Sequence, residues 1–501
     1  MFGFFRKRKQ GDGAPVPHAG APTGNATDGS QSARAMEGPT PSPSPASSAP
    51  AAPVVLSGRR VTVFGMGASG QAAARLAARE GALVTVADER TGDAVLAAAS
   101  GLPEGTTHAF GAVGKALTEA DLVVLSPGVP RAHPELQAAE SAGVPVIGEV
   151  ELAFQHLSAP VIGITGTNGK STVTSMIGHI LSGWKEHVFT GGNLGAPLCE
   201  AALSTTAWDF LVVELSSFQL ESITTFRPAI GVLLNLAPDH LDRYPSVSAY
   251  YRAKFRLFEN MSGYALLNHA DENTLAIADH YLKNARPVLF NVQDPAMDGV
   301  RVADGRITVK SGDQITPLCP VSDLKLVGAH NLENAQAAAA ACLLAGCPPR
   351  LIAAGLSSFT ALPHRMEVVA QRDGVTWIND SKATNPASVV KALEGFSEDQ
   401  PVILLLGGRD KGGDLFTVRE HVFLHARKVI LFGEAAEKFR IVLQGFADLE
   451  VVDTLSDAVD AARAAATAGD TVLLSPACAS FDQFTNYMAR GDEFRQLAVA
   501  P

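Results

Sequence analysis

Apolar residues in this 501-residue chain follow two alternating rhythms from about residue 58 to the end. Short runs of Val, Ile and Leu stand between Ala-rich stretches whose apolar residues recur at helical spacing. That alternation predicts buried parallel strands joined by crossover helices. A first series holds VTVFG (61–65), LVTVAD (83–88), LVVLSPG (122–128) and VPVIGE (144–149), with helix-period segments such as 70–80 between them. A second begins at VIGIT (161–165), passes through FLVVE (210–214), IGVLLN (230–235) and ALLN (265–268), and ends in an Ala-rich helix over 334–345 that Asn331 is expected to cap. A third holds VTWIND (375–380), VILLLGG (402–408), KVILFG (428–433) and TVLLSP (471–476). The fold class is therefore α/β, with three consecutive α/β domains at 58–150, 151–361 and 362–501.

Residues 1–57 break the pattern. From 11 to 53 the chain is mostly Ala, Pro, Ser, Gly and Thr, too poor in large apolar side chains to offset the entropy of ordering, so a disordered tail is expected. Its opening, MFGFFRKRKQ, sets four cations (Arg6 to Lys9) behind three phenylalanines without the apolar stretch of a secretory signal, and reads as a solvated tail. A net charge of -11 argues against a nucleic-acid partner, and no apolar run is long enough to span a bilayer. A cytoplasmic, monomeric protein without integral membrane contact is expected. The five cysteines are scattered without zinc or disulfide spacing and read as buried thiols.

The strand VIGIT runs into GTNGK and then into STVTSMIGHIL, so backbone N–H groups and a helix N-terminus converge beside Lys170. Such a nest binds phosphates. The loop is shorter than the strict pattern, because Gly166 stands only three residues before Gly169 and position 164 is Ile. In this reading Lys170 meets the β and γ phosphates, and the hydroxyl of Ser171 or Thr172 ligates Mg²⁺. A plain glycine turn accounts for the glycines but not for the Lys-Ser pair. Glu214 ends the next apolar strand, where a Mg²⁺ ligand belongs, and Asp239, His240 and Asp242 follow the strand after it. Turn chemistry alone explains such acidic loops about half the time. Lys254, in YYRAKFRLFE, reads by periodicity as a solvated cation.

The first domain carries Gly65, Gly67 and Gly70 between a strand and a helix, with Asp88 closing the next strand. Read alone this is a dinucleotide fingerprint and points to NAD, yet the glycines require only a pyrophosphate, which a UDP-sugar also has. In the third domain Asp380–Asn385, Gly407–Gly413 and Ser475–Asp482 each follow a predicted strand, and three such loops at one sheet edge suggest an anion site.

Together GTNGKST (166–172), ELSSFQLE (214–221), DHLDRY (239–244), GAHNLENA (328–335), LPHRMEVV (362–369), NDSKATNP (379–386) and SPACASFDQF (475–484) resemble the Mur ligases, and within them the branch that adds D-glutamate. The resemblance covers the chain from about Leu56 onward. It implies three α/β domains that bind UDP, ATP and the incoming amino acid in chain order. The implied substrates are UDP-N-acetylmuramoyl-L-alanine and D-glutamate, joined through an acyl phosphate, with ATP and two Mg²⁺ ions.

The resemblance also implies roles by motif. Gly166, Thr167, Asn168, Gly169, Lys170, Ser171 and Thr172 form the nucleotide loop, with Asn331 and Asn334 at the adenine and Arg365, Asp380 and Lys382 reaching the nucleotide when the third domain closes. Ser171 and Glu214 hold one Mg²⁺; His240 and a carbamylated Lys254 hold the other, against the solvated default. Lys170, Glu214, His240 and Lys254 make up the catalytic set. Thr384, Lys411 and Ser480 hold the D-glutamate carboxylates, Ser480 at an expected helix start, while Phe481 and Tyr487 fall where the family varies. Ala68, Ser69, Asp88, Glu89, Arg90, Ser126 and Gly128 match the uridine-diphosphate pocket, and Asn193 a sugar-peptide contact. The diaminopimelate-adding branch has an Asn-Pro-Arg loop absent here, the folate-polyglutamate ligases lack the 58–150 domain, and the L-alanine-adding branch does not carry SPACASFDQF in this form. An NAD-dependent oxidoreductase leaves the ATP loop unexplained.

Overall fold

The computed structural model describes residues 54–500, save 327, 361, 362, 398, 399 and 413. The expected disorder of the N-terminal tail up to residue 53, and its basic opening, lie outside the described residues, whereas Leu56, counted in that tail, is buried in the first apolar core. The first sheet is parallel and built from β1 (Arg60–Phe64), β2 (Leu83–Asp88), β3 (Thr107–Phe110), β4 (Leu122–Leu125) and β5 (Val146–Gly148), in the order β3-β2-β1-β4-β5. The order reverses between β1 and β4, and that reversal opens a crevice at the carboxyl ends of these strands.

A second parallel sheet holds β6 (Val161–Thr165), β7 (Val188–Gly192), β8 (Phe210–Glu214), β9 (Ile230–Leu233), β10 (Tyr264–Asn268) and β11 (Arg286–Phe290), in the order β11-β10-β9-β6-β8-β7. Because β6 lies between β8 and β9, the residues that follow all three strands meet at one edge. A small antiparallel sheet, β12 (Gly299–Ala303), β13 (Arg306–Ser311) and β14 (Gln314–Pro320), is appended to this unit. The last sheet runs β15-β16-β20-β17-β18-β19, from β15 (Glu367–Arg372), β16 (Val375–Asn379), β17 (Val402–Gly407), β18 (Ala426–Phe432), β19 (Leu449–Val451) and β20 (Thr471–Ala477). Its β15 is antiparallel to β16 and the other pairs are parallel.

Hydrophobic periodicity locates the interior strands of the three large sheets and passes over β3, β7, β11, β15 and β19, all of which are sheet edges, as well as the whole small sheet β12-β13-β14. Edge strands pair on one side and keep mixed composition, as in the half-exposed THAF of β3 and EVVAQR of β15. Two helix starts also differ from expectation. The helix Ala68–Arg79 begins two residues earlier than the apolar pattern, and the helix Ala329–Leu344 starts at Gly328, whose φ of +101° breaks the chain there. Asn331 therefore sits inside the first turn and is not the cap.

One apolar cluster joins the first two units, with Leu76 and Val150 of the first packed into the same core as Leu198 and Phe226 of the second. The third unit keeps its own clusters on the two faces of its sheet, around Leu404 and Ile430. All five cysteines are free and buried, as their spacing suggests. Among the described residues no helix is long and apolar enough to cross a membrane.

Candidate functional site

The edge where β6, β8 and β9 end is built around the loop 166–169. Gly169 lies at φ +83°, and a Cβ there would stand 2.4 Å from Asn334 Oδ1; one on Gly166 would stand 2.9 Å from Leu234 Cβ. The shortened loop is thus pressed between the end of β9 and the helix Ala329–Leu344, a fit only glycine allows. Asn168 N donates to Asn235 Oδ1 at 2.8 Å, and Thr167 Oγ1 to Ala237 O at 3.0 Å. No side chain caps the helix Lys170–Ser182, which leaves its first N–H groups for an anion. Lys170 folds back over the loop and donates to Gly166 O and Thr167 O at 2.9 and 2.8 Å, with its pKa lowered by burial.

Glu214 closes β8 beside this loop. Asn193 Nδ2 donates to its Oε1 at 2.7 Å, while its Oε2 is buried without a hydrogen-bond partner among the described residues. Lys254 is not solvated: it is 1% exposed, and its ammonium donates to Gly166 O at 2.8 Å and lies 4.6 Å from the Tyr250 ring. Helix periodicity failed here because the helix Val247–Phe255 is gripped on more than one face, burying Tyr250, Ala253, Lys254 and Phe255. Burial, then the nearby Lys170, holds the Lys254 pKa well below the usual lysine value. His240, at φ +53°, packs edge-on to Phe218 at 4.9 Å and is pushed down to about 4 by burial, so its imidazole is neutral near pH 7.

The third unit supplies the opposite wall. Lys382 Nζ donates to Ser171 Oγ at 2.6 Å and to Tyr487 OH at 3.2 Å. Lys411 Nζ donates to Asp239 Oδ1 at 2.8 Å, Asn385 Nδ2 to Asp239 Oδ2 at 3.0 Å, and Ser388 Oγ to Asn168 Oδ1 at 2.8 Å. Although burial opposes ionisation, Lys411 and His240 hold the Asp239 carboxyl down to about 2. Between the walls lies a cavity of about 980 Å³, lined from the second unit by Lys170, Ser171, Glu214 and His240, and from the third by Arg365, Lys382, Thr384 and Lys411. That volume suits a nucleotide with a further small ligand.

Three family models match the chain in order: Mur ligase MurD-like, N-terminal domain, over 59–148; Mur ligase middle domain, over 164–342; and Mur ligase, glutamate ligase domain, over 364–478. The UDP-N-acetylmuramoylalanine–D-glutamate ligase of Myxococcus xanthus is 45% identical over 461 residues, covering 89% of this chain and 99% of that one. The chain belongs to the Mur ligase family. The corresponding ligase of Syntrophotalea carbinolica is 42% identical over 445 residues, 89% of this chain and 98% of that one. Among solved structures, a pseudomurein peptide ligase type C from Methanothermus fervidus shares the fold with a TM-score of 0.55 at 19% identity, over 88% of this chain and 99% of that one. The MurF ligase from Thermotoga maritima in complex with ADP gives 0.55 at 14%, over 89% and 97%.

In this Mur ligase the phosphate-loop candidates divide. Thr167, Asn168, Gly169, Lys170 and Ser171 line the cavity, whereas Thr172 is buried with its hydroxyl unpartnered among the described residues, so of the two hydroxyls Ser171 is the one presented. Asn193, Asn334 and Asp380 line it as well. Asn331 lies one layer behind, accepting from Asn334 Nδ2 at 3.4 Å. Asp380, buried against Ser475 at 2.9 Å, is pushed up to about 7 by burial. Ser480 is buried but precedes a turn and not a helix, because the following helix starts only at Tyr487; Phe481 is 61% exposed and away from the cavity. Asp242 is exposed and does not line the cavity.

The first-unit candidates lie apart, at the carboxyl ends of β1, β2 and β4. Gly70 packs so closely that a Cβ would stand 1.8 Å from Gly65 O. Asp88 accepts from Met66 N at 2.8 Å and from Arg90 N and Nε at 2.9 Å, and these bonds hold it down to about 2. The acid that suggested a dinucleotide ribose is thus engaged within the protein. Glu89 pairs with His133 at 3.1 Å, Ser126 is buried, and Ala68, Ser69 and Gly128 are open to solvent in varying degree. Asn385, Ser388 and Arg243 carry no signal of their own in the sequence, because their partners lie far away along the chain. Arg243 donates to Pro127 O and Val129 O at 3.3 and 3.0 Å, tying the β4 loop to the loop of His240.

Proposed function

We propose that this chain joins D-glutamate to the L-alanyl carboxylate of UDP-N-acetylmuramoyl-L-alanine, splitting ATP to ADP and phosphate, in peptidoglycan precursor synthesis. The observation that carries the reading is the cavity between the second and third units, with a phosphate loop on one wall and Lys382, Thr384 and Lys411 on the other. Relatives named for this reaction match almost end to end.

ATP lies along the loop 166–172, its phosphates met by the free N–H groups of the helix Lys170–Ser182 and by Lys170. Asn334 faces the base, and Arg365 and Lys382 bring positive charge from the third unit. The alanyl carboxylate oxygen attacks the γ-phosphorus, an O–P bond forms, the β–γ bridge breaks, and ADP leaves. The neutral amine of D-glutamate then attacks the acyl carbon, a C–N bond forms, the C–O bond to the phosphoryl group breaks with its electron pair leaving on phosphate, and the proton lost by the nitrogen passes to phosphate or water. Lys411 holds a glutamate carboxylate by charge, with Thr384 on the same wall; Ser480, implied by the resemblance, is buried and does not line the cavity. A docked third unit excludes water that would hydrolyse the acyl phosphate. The crevice between β1 and β4 takes the uridine diphosphate.

Among the described residues no group of three or more His, Cys, Asp and Glu converges. Mg²⁺ needs none, since it is held by one or two carboxylates with phosphate oxygens and water. Ser171 Oγ and the unpartnered Glu214 Oε2 fit one ion. The neutral His240 and Lys254 fit a second, provided Lys254 is carbamylated. The carbamate forms when the neutral amine attacks CO₂ and releases a proton, and burial beside Lys170 favours that neutral amine. When bound, Mg²⁺ offsets the charge that builds on the transferring phosphoryl oxygens.

The deciding experiment is ADP release by the full chain with UDP-N-acetylmuramoyl-L-alanine, comparing D-glutamate with L-glutamate, D-aspartate, L-lysine, L-alanine and diaminopimelate. Turnover with D-glutamate is expected; turnover with another amino acid in its place refutes the assignment.

A further inference from the structure

The third unit reaches the phosphate loop through a relay of side chains that begins in its core. Arg490, fully buried, donates from Nε to Ser381 Oγ at 2.9 Å. Ser381 Oγ in turn donates to the backbone carbonyl of Tyr487 at 2.8 Å. Tyr487 opens the last helix, Tyr487–Val499, whose N-cap Asn486 accepts from Ala489 N, so its backbone is fixed from two sides. From there the phenol reaches Lys382: Nζ donates to Tyr487 OH at 3.2 Å and stands 5.0 Å from the ring centre. The same ammonium donates to Ser171 Oγ at 2.6 Å.

Lysine is a flexible point charge on four methylenes, and a single partner does not fix its direction. Here two hydroxyls from two different units define it, and the aromatic face adds an attraction for the cation. We propose that the Tyr487 hydroxyl is a positioning group for Lys382, holding its ammonium against Ser171 at the start of the phosphate-loop helix so that a nucleotide phosphate meets a preset cation. This goes beyond the motif match, which leaves position 487 without a role, and it rests on the reading of the cavity as an ATP site. The burial that raises the phenol's pKa keeps it neutral, so its oxygen accepts from Lys382 while its own proton remains free for phosphate or water.

The test uses the full chain, Tyr487→Phe, Tyr487→Leu, Lys382→Ala and the double variant Tyr487→Phe/Lys382→Ala, with affinity for a non-hydrolysable ATP analogue measured by calorimetry and the wild-type and Tyr487 variants assayed for ADP release. Tyr487→Phe is expected to weaken the analogue about tenfold, the lower end for one hydrogen bond to a charged group. It should lower kcat by a similar factor and leave KM for the UDP-substrate and the melting temperature unchanged. Tyr487→Leu should lose more, and Tyr487→Phe should have no further effect once Lys382 is alanine. Wild-type affinity in Tyr487→Phe overturns the proposal, as does an equal loss in the Lys382→Ala background, or a rise in KM for D-glutamate as the main effect. An ATP analogue that does not bind the wild-type chain at all refutes the ATP reading itself, and the inference with it.

Discussion

Lys170 and Lys254 donate to the same acceptor, the carbonyl oxygen of Gly166, from 2.9 and 2.8 Å. Two amines that converge on one buried carbonyl repel each other if both are charged, and burial lowers the pKa of each. The conflict is resolved when one of them stops being a cation. Lys170 faces the cavity and the expected phosphates, while Lys254 lies behind the loop. Of the two, Lys254 is the amine that suits the carbamate proposed above.

Lys254→Ala is expected to lose about a hundredfold or more in ADP release, since it strips an anionic ligand from the site. Part of the rate should return with added acetate or formate, whose carboxylate can fill the space left by the side chain. Full activity in the unsupplemented variant would mean that no carbamate takes part.

The site was legible in the sequence wherever a backbone conformation demanded it. Gly166 and Gly169 announced the loop, and strand ends placed Glu214 and His240 near it, because parallel topology gathers carboxyl ends on one edge. Lys254 was not legible from periodicity, because what buries it is tertiary: a loop 88 residues away in sequence. The same holds for Asn385 and Ser388, whose partners Asp239 and Asn168 lie in another unit. Likewise the edge strands carry no strong pattern, because only one side of each is paired.

Glu149 should make stability fall as pH rises. Its Oε1 accepts from Cys199 N at 2.6 Å, its Oε2 is buried without a partner among the described residues, and burial pushes the carboxyl from near 4.5 up to about 7. Between those values the unfolded chain has released a proton that the folded chain keeps, so stability declines across that window and levels off above about 7. The full effect is on the order of 3 kcal/mol. Asp380, raised to about 7, acts in the same direction. Melting temperature followed from about pH 5 to about pH 8 should drop in the wild type and drop less in Glu149→Gln; equal slopes would count against this assignment.

Arg490→Met should destabilise the third unit by about 3 kcal/mol, the order seen when a buried charged group that satisfies several acceptors is removed. Its guanidinium is fully buried and donates to Ser381 Oγ, Ser381 O and Cys478 O at 2.9, 2.7 and 3.1 Å, bridging the loops that follow β16 and β20. Lysine lacks the planar fork and should not restore stability. A urea midpoint unchanged in Arg490→Met would show that these bonds contribute nothing net.

Asp239 fastens the third unit to the second. Lys411 and Asn385 bind its two oxygens, and the carboxylate is 7% exposed. The interface around it is polar, whereas the first two units share an apolar core, so the junction most able to part is the one Asp239 holds. With its pKa held near 2, Asp239 contributes stability that is present above about pH 4 and lost as pH falls toward 2. Asp239→Asn keeps the shape but leaves the half-buried Lys411 without its counter-charge, which costs about 2 kcal/mol and favours separation of the units. The glutamate carboxylate, where Lys411 is proposed to bind it, restores that charge. Small-angle scattering should therefore give Asp239→Asn a larger radius of gyration than wild type without ligands, and the difference should shrink when D-glutamate and a nucleotide are added together. Identical radii without ligands would remove Asp239 as the fastening group; a larger radius that ligands do not reduce would separate the clamp from glutamate binding at Lys411.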